Sequence, residues 1–315
     1  MKTLKSKLAS WDELKKSLKP RVEELNFILH RIKRSPLSVV GLSLILLFAA
    51  VAILAPQLAP PKHPYQPYNI PRYGYSAEPR PPSAEHIFGT TEGQYDVYYG
   101  VIWGTRTAFR IGFMVVGASF LIGLVLGSIA GYYGGVLDEA IMRVVDIFMS
   151  VPTLILAMAL VTALGHSLDN VMKALIIVGW PIYARLIRGD ILRVREEDYV
   201  SAARAVGCSS PLIIIKHVLP NSIYPMLIMA SLDVGAVVLV AAALSFLGLG
   251  APVGYADWGQ MVSFARNWIV GPPQSPLAYW HTITIPGLFM LFFVLGWNLL
   301  GDAFRDILDP RLRRR

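Results

Sequence analysis

Asp233 is the single charged residue between positions 221 and 246, so its carboxylate falls near the middle of an otherwise apolar segment. In hydrocarbon such a group costs several kcal/mol unless it faces protein or water. Two chemistries are open to it. It can accept a packing hydrogen bond from a neighbouring helix, or it can meet a solute or a partner along a membrane path, the commoner role of intramembrane carboxylates.

Motifs for other chemistry are missing. No G-x-x-x-x-G-K-[ST] run is present, so the chain lacks a phosphate-cradling loop for ATP. Neither H-E-x-x-H nor G-x-S-x-G occurs, and the six histidines are scattered without metal-binding helical spacing. With Cys208 as the single cysteine, an intramolecular disulfide and a Cys-rich metal cage are both ruled out. No catalytic residue, resident cofactor or metal site is therefore expected.

The second informative stretch is DYVSAARAVGCSSPLIIIKHVLP, from Asp198 to Pro220. Tyr199, Ala202, Ala203 and Val206 recur at i, i+3, i+4 and i+7, which predicts a shallow apolar stripe on a short helix. Gly207 predicts its end, because glycine readily takes the left-handed conformation found just past a helix. Ser209 or Ser210 would cap a second helix with Pro211 at its first position, continuing through Ile213 and Val218 until Pro220. Hairpin chemistry alone makes this an ordinary folded loop. The two alanines instead suit insertion into a groove on a partner protein.

These residues need elements to hold them. The chain is 54% hydrophobic and 16% charged, with its charges in blocks between long apolar runs, as expected of an all-α integral membrane protein. Residues 37–59 carry no charge and are long enough to cross a hydrocarbon layer of about 30 Å. Further windows at 111–137, 147–168, 171–187, 221–246 and 279–300 bring the expected number of transmembrane helices to six. The window 171–187 holds Lys173, Pro181 and Arg185, and its two charged ends are expected to snorkel to the interfaces.

The resulting organisation is a basic cytoplasmic segment 1–36, a first transmembrane helix 37–59, an extracytoplasmic loop 60–106, a five-helix core 107–300 and a cytoplasmic tail 301–315. Within the core lie a cytoplasmic loop 185–220 and an extracytoplasmic loop 248–278. The basic stretch before residue 37 is too long for a secretory leader, so the first apolar run is expected to be retained. Under this scheme 22 of the 29 Lys and Arg residues fall inside, which supports both termini being cytoplasmic. The net charge of +8 then reads as contact with anionic lipid; no nucleic-acid partner is expected.

Outside the spans, Pro60, Pro61, Pro64, Pro67 and Pro71 predict an extended segment. A short helix is expected around Trp258 to Asn267. Gly123, Gly127, Gly131 and Gly135 recur every four residues, predicting one face for close helix packing. No internal repeat of the kind found in many secondary transporters is visible.

Ala202, Ala203, Gly207, Leu219 and Pro220 have the spacing of the EAA motif of ABC-importer permeases, with Ser201 where the motif usually has Glu and His217 where it often has Ile. LSFLGLG at Leu244 to Gly250, NLLGDAFRDILDPRLR at Asn298 to Arg313, GYYGGVLDEAIMRVVDIFMSVP at Gly131 to Pro152 and the run Gly104 to Arg106 resemble the dipeptide/oligopeptide/nickel permease group, C-type subunit. One departure is Gly89-Thr90-Thr91 followed by Gln94-Tyr95-Asp96, where the group commonly has GTD and then GRD.

The resemblance implies a type I ABC-importer permease that forms a solute path with a homologous permease. It implies two ATPase subunits docked on the loop through Ser201, Ala202, Ala203, Gly207, Leu219 and Pro220, with ATP and Mg bound there and no cofactor in this chain. An extracytoplasmic solute-binding protein would deliver a peptide, with oligosaccharide or nickel as alternative cargoes, across the cell membrane of a prokaryote. A secondary transporter or a non-transporting scaffold would fit the spans alone, and the resemblance decides against both.

The charge distribution makes a direct prediction about sidedness. With Cys208 replaced by Ser, single cysteines at Tyr68 and Arg311 should label from opposite sides of the membrane. Reaction of both with an impermeant reagent in intact cells would refute the six-span scheme.

Overall fold

The computed structural model describes residues 35–308. The basic segment 1–34 and the tail from residue 309, including the Asp309 to Arg313 part of the NLLGDAFRDILDPRLR run, lie outside the described residues.

Pro36 opens the first helix, α1 (Pro36–Leu58), where the Ser35 hydroxyl accepts the Ser38 amide at 3.4 Å and a residue without an N–H costs nothing. At 1.5 Å per residue α1 is about 34 Å long, enough to cross. Helix α2 (Val97–Tyr133) starts where the Asp96 carboxylate accepts the Tyr99 amide at 2.8 Å. The loop expected at 60–106 therefore ends at Asp96, because a polar cap, invisible to hydropathy, starts the helix before the uncharged run begins.

Gly134, with φ +68°, turns the chain from α2 into α3 (Gly135–Ser150). Val151 is extended, as the residue before a proline prefers, and Pro152 leads into α4 (Thr153–Leu164) at a bend of 93°. The window 147–168 is thus no single straight helix, and α4 alone reaches only about 18 Å. Helix α5 (Leu168–Val194) begins where the Ser167 hydroxyl accepts the Asn170 amide at 3.1 Å, and it carries Pro181 in its interior. It extends beyond the expected window because Arg185 does not end it. That guanidinium pairs with Asp146 of α3, a carboxylate on a neighbouring helix.

The remaining elements are α6 (Asp198–Ala205), α7 (Ser210–Ile213), a π-helical segment Ile214–Val218, α8 (Leu219–Ser222), α9 (Tyr224–Phe246), α10 (Trp258–Phe264) and α11 (Trp280–Leu308). Helix α11 continues past residue 300 into the expected tail. Five helices, α1, α2, α5, α9 and α11, are long and apolar enough to cross a membrane, and the bent α3–α4 pair makes up to six. Among the described residues there is no strand, only isolated antiparallel bridges such as Asn69 with Tyr255 and Arg72 with Tyr95.

The most extensive helix pair is α2 with α5. Gly123 faces the Tyr183 Cβ, Gly127 faces the Ala184 carbonyl, and a Cβ on Gly131 would lie 3.0 Å from Ile191. Small residues here let two backbones touch. Gly135 leaves this face: its φ is +58°, it begins α3, and nothing lies within 4 Å of its Cβ position.

On the other side of α2, Phe48 of α1, Trp258 of α10 and Phe293 of α11 meet edge to face at 5.5–6.1 Å. The Trp103 indole donates to the Ala59 carbonyl at 2.9 Å and that of Trp258 to the Val101 carbonyl at 3.1 Å. The proline-rich segment is tied to the loop before α10 by Ile70 N–H to Gly254 O at 2.8 Å and Ala256 N–H to Tyr68 O at 2.7 Å. Asp257 caps α10 through the Gln260 amide at 3.1 Å, and burial pushes its carboxyl above the usual range.

The glycine seam predicts an asymmetric response to added volume. Gly127→Leu should separate α2 from α5 and cost about 1–3 kcal/mol, as overpacking does, whereas Gly117→Leu meets open space and should be tolerated. Thermal unfolding in detergent checks this, and equal midpoints for the two variants would refute it.

Candidate functional site: a cavity and a hairpin joined by one helix

Helices α2, α5 and α9 converge with the α3–α4 bend around a cavity of about 260 Å³. Val115 and Ser119 come from α2, Phe148, Met149 and Thr153 from the bend, Gly179 and Tyr183 from α5, and Asp233 and Val237 from α9. The Tyr183 hydroxyl donates to Asp233 Oδ2 at 2.6 Å. Asp233 thus makes the packing bond open to it and also lines the space. No Lys or Arg is among the lining residues. Gly179 keeps the wall thin, since a Cβ there would come 2.9 Å from the Ser119 hydroxyl.

The hairpin is built by its turn. Gly207, at φ +83°, donates to the Arg204 carbonyl at 3.0 Å, and the Cys208 amide donates to the Ala203 carbonyl at 3.1 Å. This pair of crossed bonds closes the α6 end as a Schellman motif. Asp198 in the first turn and Arg204 in the last complement the helix dipole. Partial burial and the Glu197 carboxylate push the Tyr199 phenol up. After α7 the chain does not stop at Pro220. It adopts the wider π turn over Ile214–Val218 and enters α8, with Pro220 in the first turn where its missing N–H is tolerated.

Placement of the sequence candidates splits the expected stripe. Val200, Ala203, Ile213 and Val218 are buried against this chain. Ser201, Ala202, Gly207 and Pro220 are exposed, and Leu219 is half-buried. Ala203 therefore does not point toward a partner, because α6 needs its own inner face to rest on the protein. The outward face is nonetheless apolar: Tyr199, Val206 at 79% exposure, Leu212 and Ile215 at 64% all lie open beside Ala202.

Cavity and hairpin are separate sites, and α5 links them. Tyr183 sits at the cavity, while Arg195, just past the helix end, donates to the Gly131 carbonyl at 2.8 Å. Between them Arg188 holds Asp138 through two bonds of 2.5 and 2.6 Å, and Arg185 holds Asp146. Neither Tyr183 nor this clasp was anticipated from the sequence. A signal existed in the two aspartates about two turns apart on α3 and the two arginines one turn apart on α5.

The family described as binding-protein-dependent transport system inner membrane component matches residues 123–314. A second match, the N-terminal transmembrane domain of oligopeptide transport permease C, covers residues 27–79. The dipeptide transport system permease protein DppC of Alkalihalophilus pseudofirmus is 40% identical over 283 residues, 90% of this chain and 88% of that one. The probable D,D-dipeptide transport system permease protein DdpC of Escherichia coli is 41% identical over 280 residues, 89% of each. Among solved structures, the inward-facing MetNI methionine ABC transporter superposes with a TM-score of 0.53 at 18% identity, over 66% of this chain and 96% of that one.

Proposed function

The chain belongs to the family of binding-protein-dependent transport system inner membrane components, and from that premise we propose that it carries di- or oligopeptides through a path shared with a homologous permease. It is a multi-pass membrane protein and a C-type permease of a bacterial ABC importer of the dipeptide/oligopeptide group. An extracytoplasmic binding protein presents the peptide. Two ATPase subunits bind ATP and Mg and dock on the α6–α8 hairpin, which lies with both termini on the cytoplasmic side, while anionic lipid contacts the basic flanks.

One observation carries the docking proposal: the hairpin is rigidly closed at Gly207, yet its outward face presents Tyr199, Ala202, Val206 and Ile215 to solvent. Apolar area of this kind on an aqueous-side element is what a partner groove covers. Approach of the ATPases would move the hairpin, and α5, tied to α6 by the Arg204 bond to the Arg195 carbonyl at 3.3 Å and to the cavity by Tyr183, would carry that movement inward. Nucleotide then biases the path toward one state to the extent that it stabilises that state over the other. Asp233 faces this path.

Gly207→Val would force a side chain into the left-handed region at about 1 kcal/mol or more, and Ala202→Glu would set an unpaired charge against the groove at a cost of a few kcal/mol. Both variants should accumulate in the membrane and pair with the homologous permease, yet recover less ATPase on pull-down and take up less dipeptide. Ala203→Glu should differ, lowering the amount of folded protein, since Ala203 is buried within the chain. Wild-type ATPase recovery and uptake in both outward-face variants would show that the hairpin is not the docking element.

A further inference from the structure

The Asp233 carboxylate is the one ionisable acid on the cavity wall, and its only hydrogen-bond partner among the described residues is the Tyr183 hydroxyl on Oδ2. Oδ1 is left without a donor among the described residues. The cations near the cavity in sequence are already committed elsewhere: Arg110 to Asp169, Arg143 to Glu139, Arg185 to Asp146, Arg188 to Asp138, and Lys173 to the Asn170 side chain at 3.1 Å. The rest of the wall is apolar or hydroxyl-bearing, with Val115, Phe148, Met149 and Val237 around Ser119 and Thr153.

A carboxylate held by one hydroxyl in a low-dielectric wall attracts a cation far more strongly than it would in water. Among the described residues, no positive charge stands on the cavity wall to dilute its field. Tyr183 fixes the side chain through Oδ2, and α5 is itself fixed against α2 by the glycine seam, so the free oxygen is pre-positioned rather than mobile.

We propose that Asp233, oriented by Tyr183, is a binding subsite for the ammonium group of a solute passing through the cavity. This rests on the importer reading and gives it a chemical preference: the solute's cationic end is received by this chain. The anionic end of a zwitterion has no cation on this wall and must be met elsewhere. Since a cavity of about 150 Å³ holds benzene, the space of about 260 Å³ takes on the order of ten heavy atoms, and the subsite receives the ammonium-bearing end of the solute within it.

The complete importer, with its partner subunits in membrane vesicles, tests this through a single cysteine. Ala236, exposed one turn from Asp233 on the cavity wall, is changed to Cys in a Cys208→Ser background. During ATP turnover a trimethylammonium-bearing methanethiosulfonate should modify Cys at 236 about tenfold faster than a sulfonate-bearing one, after correction for their reaction with a free thiol. D233N should abolish this preference, while D233E and Y183F, which keep the charge, should retain it. Butylammonium should slow the modification and butanol should not.

A preference that is lacking, or that survives in D233N, overturns the proposal, as does failure of both reagents to react during turnover. If D233N does not assemble, the selective protection by butylammonium decides. Dipeptide uptake in the same vesicles separates the two readings: a cation preference without dipeptide uptake sinks the cargo assignment and keeps the subsite, and the converse sinks the subsite alone.

Discussion

Close contact between α2 and α5 is the constraint on which the other features depend. Gly123, Gly127 and Gly131 bring the two backbones together, and each fixes the height of a residue on α5. Tyr183, opposite Gly123, is thereby held where its hydroxyl meets Asp233. Ile191, opposite Gly131, sets the end of α5 so that Arg195 reaches the Gly131 carbonyl. In a bilayer, where apolar side chains gain nothing by leaving lipid for one another, such packing supplies the attraction that the hydrophobic effect supplies in water.

The bent pair α3–α4 meets a different demand. Irregular backbone at membrane depth is tolerated where it is buried in protein or borders a water-filled space. The Val151–Pro152 corner meets that condition by standing beside the cavity, whose wall includes Met149 before the bend and Thr153 after it. Two ion pairs, Asp138 with Arg188 and Asp146 with Arg185, hold α3 to α5, and α4 packs against α5 after the bend. Asp138 is the more enclosed of the two acids and takes both of its bonds from one guanidinium, a geometry that specifies orientation as well as distance.

Much of this architecture is legible in the sequence because a bilayer leaves few choices. An uncharged run of adequate length becomes a crossing, as at α1 and α9, and glycines four apart become a seam. Legibility fails where the deciding term is local or tertiary. Asp96 starts α2 early by a side-chain bond that hydropathy does not register. Gly134 and Gly135 interrupt the four-residue glycine rhythm with positive φ values. At the hairpin, the Schellman turn at Gly207 follows from residue type, but the inward direction of Ala203 does not, because the stripe gives a face without saying what it rests on. Arg185 reads as an interfacial end until Asp146 stands opposite, 39 residues away.

Pro181 gives α5 a mechanical character. Lacking an N–H, it leaves the carbonyl of Ile177 without its intrahelical donor, and its ring crowds the turn before it. A helix yields in bending where its ladder is incomplete. From Pro181 to Val194 the helix is a stiff rod about 20 Å long, pinned along its side by the Arg185 and Arg188 pairs. Such a rod with one compliant joint does not distribute a torque along its length. Because the glycine seam fixes that rod to α2, the two move together, and a displacement at the far end reaches the joint at the level of Gly179 and Tyr183, on the cavity wall.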